Sequence, residues 1–71
     1  MSRTEMIAWV KELIAEYKER VDFCVRQGAI EENSYTWQDC FADYTNVEIE
    51  TPDEVENLTD EELKQIVDTY I

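Results

Sequence analysis

Two cysteines and several adjacent carboxylates are the side chains of this sequence with the greatest capacity for chemistry. A thiolate can act as a nucleophile, and two carboxyl groups with unequal pKa values can act as general acid and base. However, Cys24 and Cys40 fall on apolar helical faces, and the acids around Cys40 disfavour its thiolate. Acid pairs such as Glu61 and Glu62 stand at helix starts, where helix capping accounts for them. We therefore expect no enzymatic activity.

Residues that hold metals or cofactors are also scarce. The sequence contains no histidine, so it lacks imidazole as a base or ligand, and two cysteines alone make no ordinary zinc site. No window between Asp39 and Asp68 has the ligand spacing and central glycine of a calcium-binding EF-hand loop. The single glycine excludes a phosphate-binding glycine loop. We predict neither a metal nor a cofactor, while a Cys24–Cys40 disulfide stays possible if the two helices touch.

A long helix is predicted over residues 1–28. Ser2 and Glu5 have the spacing of a capping box, and Gly28 provides a C-terminal stop. Between them, apolar residues recur every three or four positions over a wide arc of about 160°. They are Met6, Ile7, Trp9, Val10, Leu13, Ile14, Tyr17, Val21, Cys24 and Val25. Phe23 falls outside this arc, so either a later segment or a bend covers it, or it contacts a partner or forms a dimer seam.

Three shorter helices are predicted in the rest of the chain. The apolar spacing in 34–45 indicates one helix, with Ser34 or Thr36 as its cap. Residues 46–51 alternate apolar and acidic side chains and are predicted to be a linker. The start motifs TPDE and TDEE then predict helices over 52–58 and 60–70. We expect an all-α fold in which 1–71 forms a single helical domain, with one long N-terminal helix and about three shorter helices packed on it.

The net charge of −12 arises entirely in residues 31–71, which contain one lysine and thirteen acids. Such a surface repels nucleic acid and anionic membranes and attracts basic proteins. No apolar run approaches the roughly 20 residues of a membrane span, and the first residues do not resemble a signal peptide, so we expect a cytoplasmic protein. Twelve of the acids are predicted to bind a partner: Glu31, Glu32, Asp39, Asp43, Glu48, Glu50, Asp53, Glu54, Glu56, Asp60, Glu61 and Glu62.

These acids suggest phosphate mimicry, because carboxylates projected from several short helices can occupy a basic nucleic-acid site. Tyr35, Trp37 and Tyr44 could add apolar anchors. In size, helical content and acid excess, residues 31–71 resemble the small phage- or plasmid-encoded DNA-mimic inhibitors, including anti-restriction and anti-CRISPR proteins. The resemblance implies a stoichiometric inhibitor whose partner is a basic nucleic-acid-binding protein, such as a CRISPR or restriction component.

Two other interpretations of the sequence stay open. The acids could serve only to keep the protein soluble. Alternatively, the chain could be a small adaptor or antitoxin-like protein that binds one partner through apolar anchors such as Phe23, Trp9 and Trp37. A homodimer joined along the wide apolar stripe of the first helix is compatible with either binding function.

Overall fold

The computed structural model describes residues 1–70, and the fold is all-α, as predicted. A long helix α1 (Arg3–Arg26) is followed by α2 (Trp37–Thr45), a 3-10 helix (Pro52–Asn57) and α3 (Asp60–Tyr70). The three later helices all pack against α1, and α2 also contacts α3. No helix within residues 1–70 is long and apolar enough to cross a membrane.

Both ends of α1 are capped by the residues that the sequence indicates. The Ser2 hydroxyl accepts a hydrogen bond from the Glu5 amide, and the Glu5 carboxylate accepts one from the Ser2 amide, each at 3.2 Å. At the other end Gly28 adopts φ +76°, which favours glycine, and the Ala29 amide donates to the Cys24 carbonyl at 2.9 Å. Because this Schellman-type turn begins at its C-cap residue 27, α1 ends two residues before the predicted limit of 28.

Helix α2 is shorter than the predicted segment 34–45 because Thr36, not Ser34, is its cap. The Thr36 hydroxyl accepts from the Asp39 amide at 3.3 Å, and the Asp39 carboxylate accepts from the Thr36 amide at 3.1 Å. This reciprocal pair fixes the start of the helix at Trp37. Asn46, in the left-handed conformation with φ +61°, ends it.

The segment predicted as a helix over 52–58 is a 3-10 helix over Pro52–Asn57. A second start motif follows directly, since Thr59 caps α3 through a reciprocal pair with Glu62 at 3.0 and 3.1 Å. Leu58, between the two, is extended with ψ 148°. Two start motifs this close leave room for only a short, tight helix before the chain must straighten.

A single cluster of apolar side chains joins all of these elements. Its buried members are Val10, Leu13, Ile14, Tyr17, Cys40, Phe41, Val47, Ile49, Val55, Leu58, Leu63 and Ile66. The connector 46–51 contributes Val47 and Ile49, while Glu48 and Glu50 alternate with them on the exposed side. The connector therefore combines a role in the core with the display of two carboxylates.

The C-terminal third of α1 contains no fully buried residue. The fully buried residues of the helix end at Tyr17, and Val21, Cys24 and Val25 are only half-buried. The molecule measures 39 × 18 × 18 Å, and its long dimension matches the roughly 36 Å expected of a 24-residue helix. Phe23 is 58% exposed, so the expectation that a later segment or a bend covers it is wrong.

Candidate functional site

The twelve predicted acids differ in what their carboxylates do within the fold. Three of them hold helix starts. Asp39 accepts from Thr36, and Glu62 accepts from Thr59. The Glu54 carboxylate accepts from the Thr51 amide at 2.7 Å and also from the Glu50 amide, and these hydrogen bonds lower its pKa. These three acids are required locally by the backbone.

Three more of the acids bind side chains of other segments. Asp60 forms an ion pair with Arg3 at 2.6 Å, and Glu56 forms one with Lys11 at 3.5 Å. Asp43 accepts a hydrogen bond from the Tyr35 hydroxyl at 2.7 Å, which raises the pKa of that phenol because it stabilises the protonated form. These contacts engage all three carboxylates, and the two ion pairs also attach the acidic half of the chain to α1.

The remaining six acids have no hydrogen-bond or ion-pair partner for their carboxylates among residues 1–70, and all six are exposed. We call them the unengaged acids: Glu31, Glu32, Glu48, Glu50, Asp53 and Glu61. Helix capping therefore accounts for Glu62 but not for Glu61, although both Glu61 and Asp53 lie in first helical turns, where the helix dipole favours an acid. Because their carboxylates have no partner within the fold, the six are the acids best placed to bind another molecule. The sequence could not separate them from the six engaged acids.

Four of the twelve acids line one surface groove, which we call the acidic groove. Its volume is about 390 Å³, and it lies between α2, the connector and the 3-10 helix. Its lining residues are Gln38, Asp39, Ala42, Glu48, Ile49, Glu50 and Glu54. The Gln38 side-chain amide donates to the Glu50 carbonyl at 3.1 Å and thereby ties the connector to α2. The groove thus combines two capping carboxylates with two unengaged ones.

The other predicted acids lie outside this groove. Glu32 lines a cleft of about 440 Å³ between the end of α1 and residues 32–38. Glu61 lies near Lys64 on the surface of α3, and Asp60, on the same helix, lies near Arg3. The structure therefore distributes the acids over several surfaces and brings four of the twelve together in the acidic groove.

Most of the aromatic side chains predicted to be anchors are instead packed within the fold. Tyr35 and Trp37 are half-buried, and the Lys18 amino group lies 5.1 Å from the centre of the Trp37 ring. Trp9 packs against Tyr70 with ring centres 5.8 Å apart. Of the named anchors, only Tyr44 and Phe23 are mostly exposed.

The two cysteines are free thiols. Cys40 is buried, and burial is the main reason that its pKa is raised, with the charge of Asp43 adding to the effect. Cys24 is half-buried on α1. Within residues 1–70 no group of three or more histidine, cysteine or acidic side chains could hold a metal ion.

In comparisons with known proteins, no protein-family model matches this chain, and no curated protein or solved structure is significantly similar to it.

A second groove lies on α1, and the sequence indicated it only in part. An open groove of about 630 Å³ on α1, which we call the α1 groove, is lined by Glu16, Glu19, Arg20, Phe23, Cys24 and Arg26. The position of Phe23 outside the apolar arc identified this face, but only the fold shows that nothing within residues 1–70 covers it. It differs from the rest of the surface because two arginines flank its aromatic centre.

Proposed function

We propose that this protein is an acidic nucleic-acid mimic that binds stoichiometrically to the basic nucleic-acid site of another protein, such as a defence nuclease. The observation that carries the proposal is the set of six exposed carboxylates that make no hydrogen bond or ion pair within residues 1–70, two of which lie in the acidic groove beside Asp39 and Glu54. The protein has no turnover of its own and acts in the cytoplasm, where its target binds nucleic acid.

Electrostatics supports this function. A basic channel that binds phosphates is complementary to any rigid surface with a comparable density of negative charge. Glu48 and Glu50 are presented by backbone that is fixed on both sides, because the alternating residues Val47 and Ile49 are buried. Because this backbone is already ordered, binding through these carboxylates costs only the ordering of the side chains themselves.

The division between engaged and unengaged acids also makes the proposal testable without unfolding the protein. Replacing Glu48 and Glu50 by glutamine removes two charges from the acidic groove and leaves every capping carboxylate in place. Glu12 and Asp22 are exposed on α1 outside the α1 groove and provide a matched control. The pair Glu12→Gln/Asp22→Asn removes the same charge from a different surface.

The experiment begins with capture of partners from cell lysate at low salt and then at physiological salt, using the tagged protein. Each captured protein is purified, and its complex with fluorescent DNA or RNA is titrated with wild-type and variant protein. We expect wild-type protein to release the nucleic acid at about one equivalent. The Glu48→Gln/Glu50→Gln variant should need about tenfold more protein, as expected for the loss of two charge contacts of ~0.7 kcal/mol each.

Two results would contradict the proposal. The captured partner could keep its nucleic acid when this protein binds, or the acidic-groove variant and the α1 control could displace it equally well. Either result would show that the acidic groove does not occupy a nucleic-acid site.

The exposure of Phe23 favours a second candidate function, that of a small adaptor or antitoxin-like protein that binds its partner through an apolar anchor. In that case Phe23→Ala should abolish capture, whereas removal of Glu48 and Glu50 should have little effect. The salt dependence separates the two functions further, because binding through an apolar anchor is nearly insensitive to salt and binding through charge is not.

A further inference from the structure

We propose that the α1 groove is the contact surface for a second copy of this chain, and that two copies pair through antiparallel α1 helices. This inference goes beyond the proposed function, since it concerns the face of α1 that carries no predicted partner-binding acid. It begins with Phe23, which is 58% exposed although its side chain is entirely apolar.

The charges on this face of α1 are separated along the helix. Glu12, Glu16 and Glu19 precede the aromatic centre, whereas Arg20 and Arg26 adjoin and follow it. All five side chains belong to exposed residues. The face is therefore acidic toward the N-terminus of α1 and basic toward its C-terminus.

The two arginines have no carboxylate partner within the described chain. The ion pairs among residues 1–70 are Arg3 with Asp60 and Lys11 with Glu56, and neither involves this face. Arg26 donates only to the Asp22 carbonyl of its own helix, at 3.4 Å. In a protein of net charge −12, Arg20 and Arg26 are thus cations that the fold itself leaves without an ion pair.

A helix face with this charge order is complementary to itself when the second helix runs in the opposite direction. A two-fold axis near the middle of the groove sets Arg26 of each copy against Glu16 of the other. The same operation lays each Phe23 against the alkyl portion of Glu19 in the other copy, and it closes the contact without leaving a free face.

Charge complementarity favours a second copy over other occupants. Nucleic acid and other polyanions would meet Glu16 and Glu19 within the groove, and a basic partner would meet Arg20 and Arg26. Another α1 supplies both signs in the required order. Because α1 alone forms the contact, the interface belongs to the small class below about 1,200 Å², so the dimer should be weak and should form only as the concentration rises.

The test is sedimentation velocity of the purified protein from micromolar to millimolar concentration. We expect the sedimentation coefficient of the wild type to rise toward that of a dimer. Phe23→Ser should remain a monomer. Tyr44→Ser provides the control, because Tyr44 is exposed to nearly the same extent, 59%, but lies on α2. Its self-association should match that of the wild type, and circular dichroism should show that both variants keep their helical content.

Exchange of charges tests the antiparallel arrangement. Arg26→Glu and Glu16→Arg should each remain monomeric, because each variant places like charges against one another. An equimolar mixture of the two variants should form a mixed dimer, in which both pairs are again of opposite sign. A wild-type protein that is monomeric at every concentration, or a mixture that fails to associate, would overturn the proposal. No partner is present in this experiment, so its failure is distinct from failure of the inhibitor function.

Discussion

Arg3, the first residue of α1, donates to Asp60, the first residue of α3, across 57 positions of sequence. Its second terminal nitrogen donates to the carbonyls of Glu56 and Leu58, at 3.0 and 2.7 Å. One guanidinium group therefore fixes the end of the 3-10 helix, the start of α3 and the start of α1 relative to one another. The planar fork of arginine suits such a site better than lysine would.

Replacement of Arg3 should destabilise the protein more than replacement of Asp60. The side chains of the ion pair are 42% and 75% exposed, so the pair itself contributes at most about 1 kcal/mol. Arg3→Met also removes both hydrogen bonds to carbonyls, and we expect a total loss of about 1–2 kcal/mol. Asp60→Asn should cost no more than about 0.5 kcal/mol. Urea unfolding of the two variants gives both values, and an equal loss would show that the carbonyl contacts contribute nothing.

Removal of the Tyr17 hydroxyl should stabilise the protein, whereas the replacements of Arg3 and Asp60 should destabilise it. Tyr17 is 1% exposed, and its hydroxyl has no hydrogen-bond partner among the described residues. A buried polar group without a partner is destabilising, so Tyr17→Phe should stabilise the protein by about 1 kcal/mol. The aromatic contacts with Phe41 and Tyr44 are kept, since they involve only the ring.

Tyr35→Phe is the matched control, because the Tyr35 hydroxyl donates to Asp43 at 2.7 Å. Loss of this hydrogen bond should destabilise the protein by about 0.5–1 kcal/mol. Thermal and urea unfolding of both variants would measure the difference. If Tyr17→Phe proved as destabilising as Tyr35→Phe, the Tyr17 hydroxyl would have to find a partner in solution.

The helical fold could be predicted from the sequence because its determinants are local. The pair Ser2 and Glu5, the stop at Gly28 and the motifs TPDE and TDEE each act over a few residues. The exact start of α2 could not be predicted, because Ser34 and Thr36 are both capable caps and only the pairing of Thr36 with Asp39 decides between them. The 3-10 form of Pro52–Asn57 likewise depends on how much chain the neighbouring helices leave.

The candidate site was less accessible to prediction, because the partners of its charged groups are distant in sequence. Asp60 and Glu56 look like free surface acids until the fold brings Arg3 and Lys11 to them. Phe23 shows the same limit, since a position outside the apolar arc does not reveal whether another segment covers it. Local motifs identified Glu54 and Glu62 at helix starts but not Asp39, and only the structure could identify the unengaged acids.

The capping carboxylate of Glu54 should make stability depend on pH in a defined direction. Hydrogen bonds from the Thr51 and Glu50 amides hold the pKa of Glu54 below its ordinary value of 4.5. A group whose folded-state pKa is depressed contributes stability that is present above its unfolded-state pKa and is lost as the pH falls through the folded-state value. The stability contributed by the Glu54 carboxylate should therefore be fully present at neutral pH. It should disappear when the pH falls below the ordinary carboxyl pKa.

Glu54→Gln removes this titration. We expect its urea midpoint to lie below that of the wild type at about pH 7 and to approach the wild-type value at about pH 3.5. Glu48→Gln serves as the control for removal of one carboxylate, because the Glu48 carboxylate accepts no hydrogen bond from residues 1–70, and it should not lower the urea midpoint at about pH 7. A Glu54 effect that stayed constant from neutral to acid pH would contradict the capping role.

Repulsion among the unengaged acids should make the protein more stable in salt. The fold offers only two ion pairs within residues 1–70 for salt to weaken, whereas salt screens repulsion among many exposed carboxylates. We expect the melting temperature to rise between about 0.02 M and about 0.5 M NaCl, over which the Debye length falls from roughly 20 Å to roughly 4 Å. The Glu48→Gln/Glu50→Gln variant should melt at a higher temperature than the wild type at low salt and should respond less to added salt. A melting temperature that falls as NaCl is added would show that the ion pairs of Arg3 and Lys11 outweigh the repulsion, and the acidic groove would then lack the charge density that the proposed function needs.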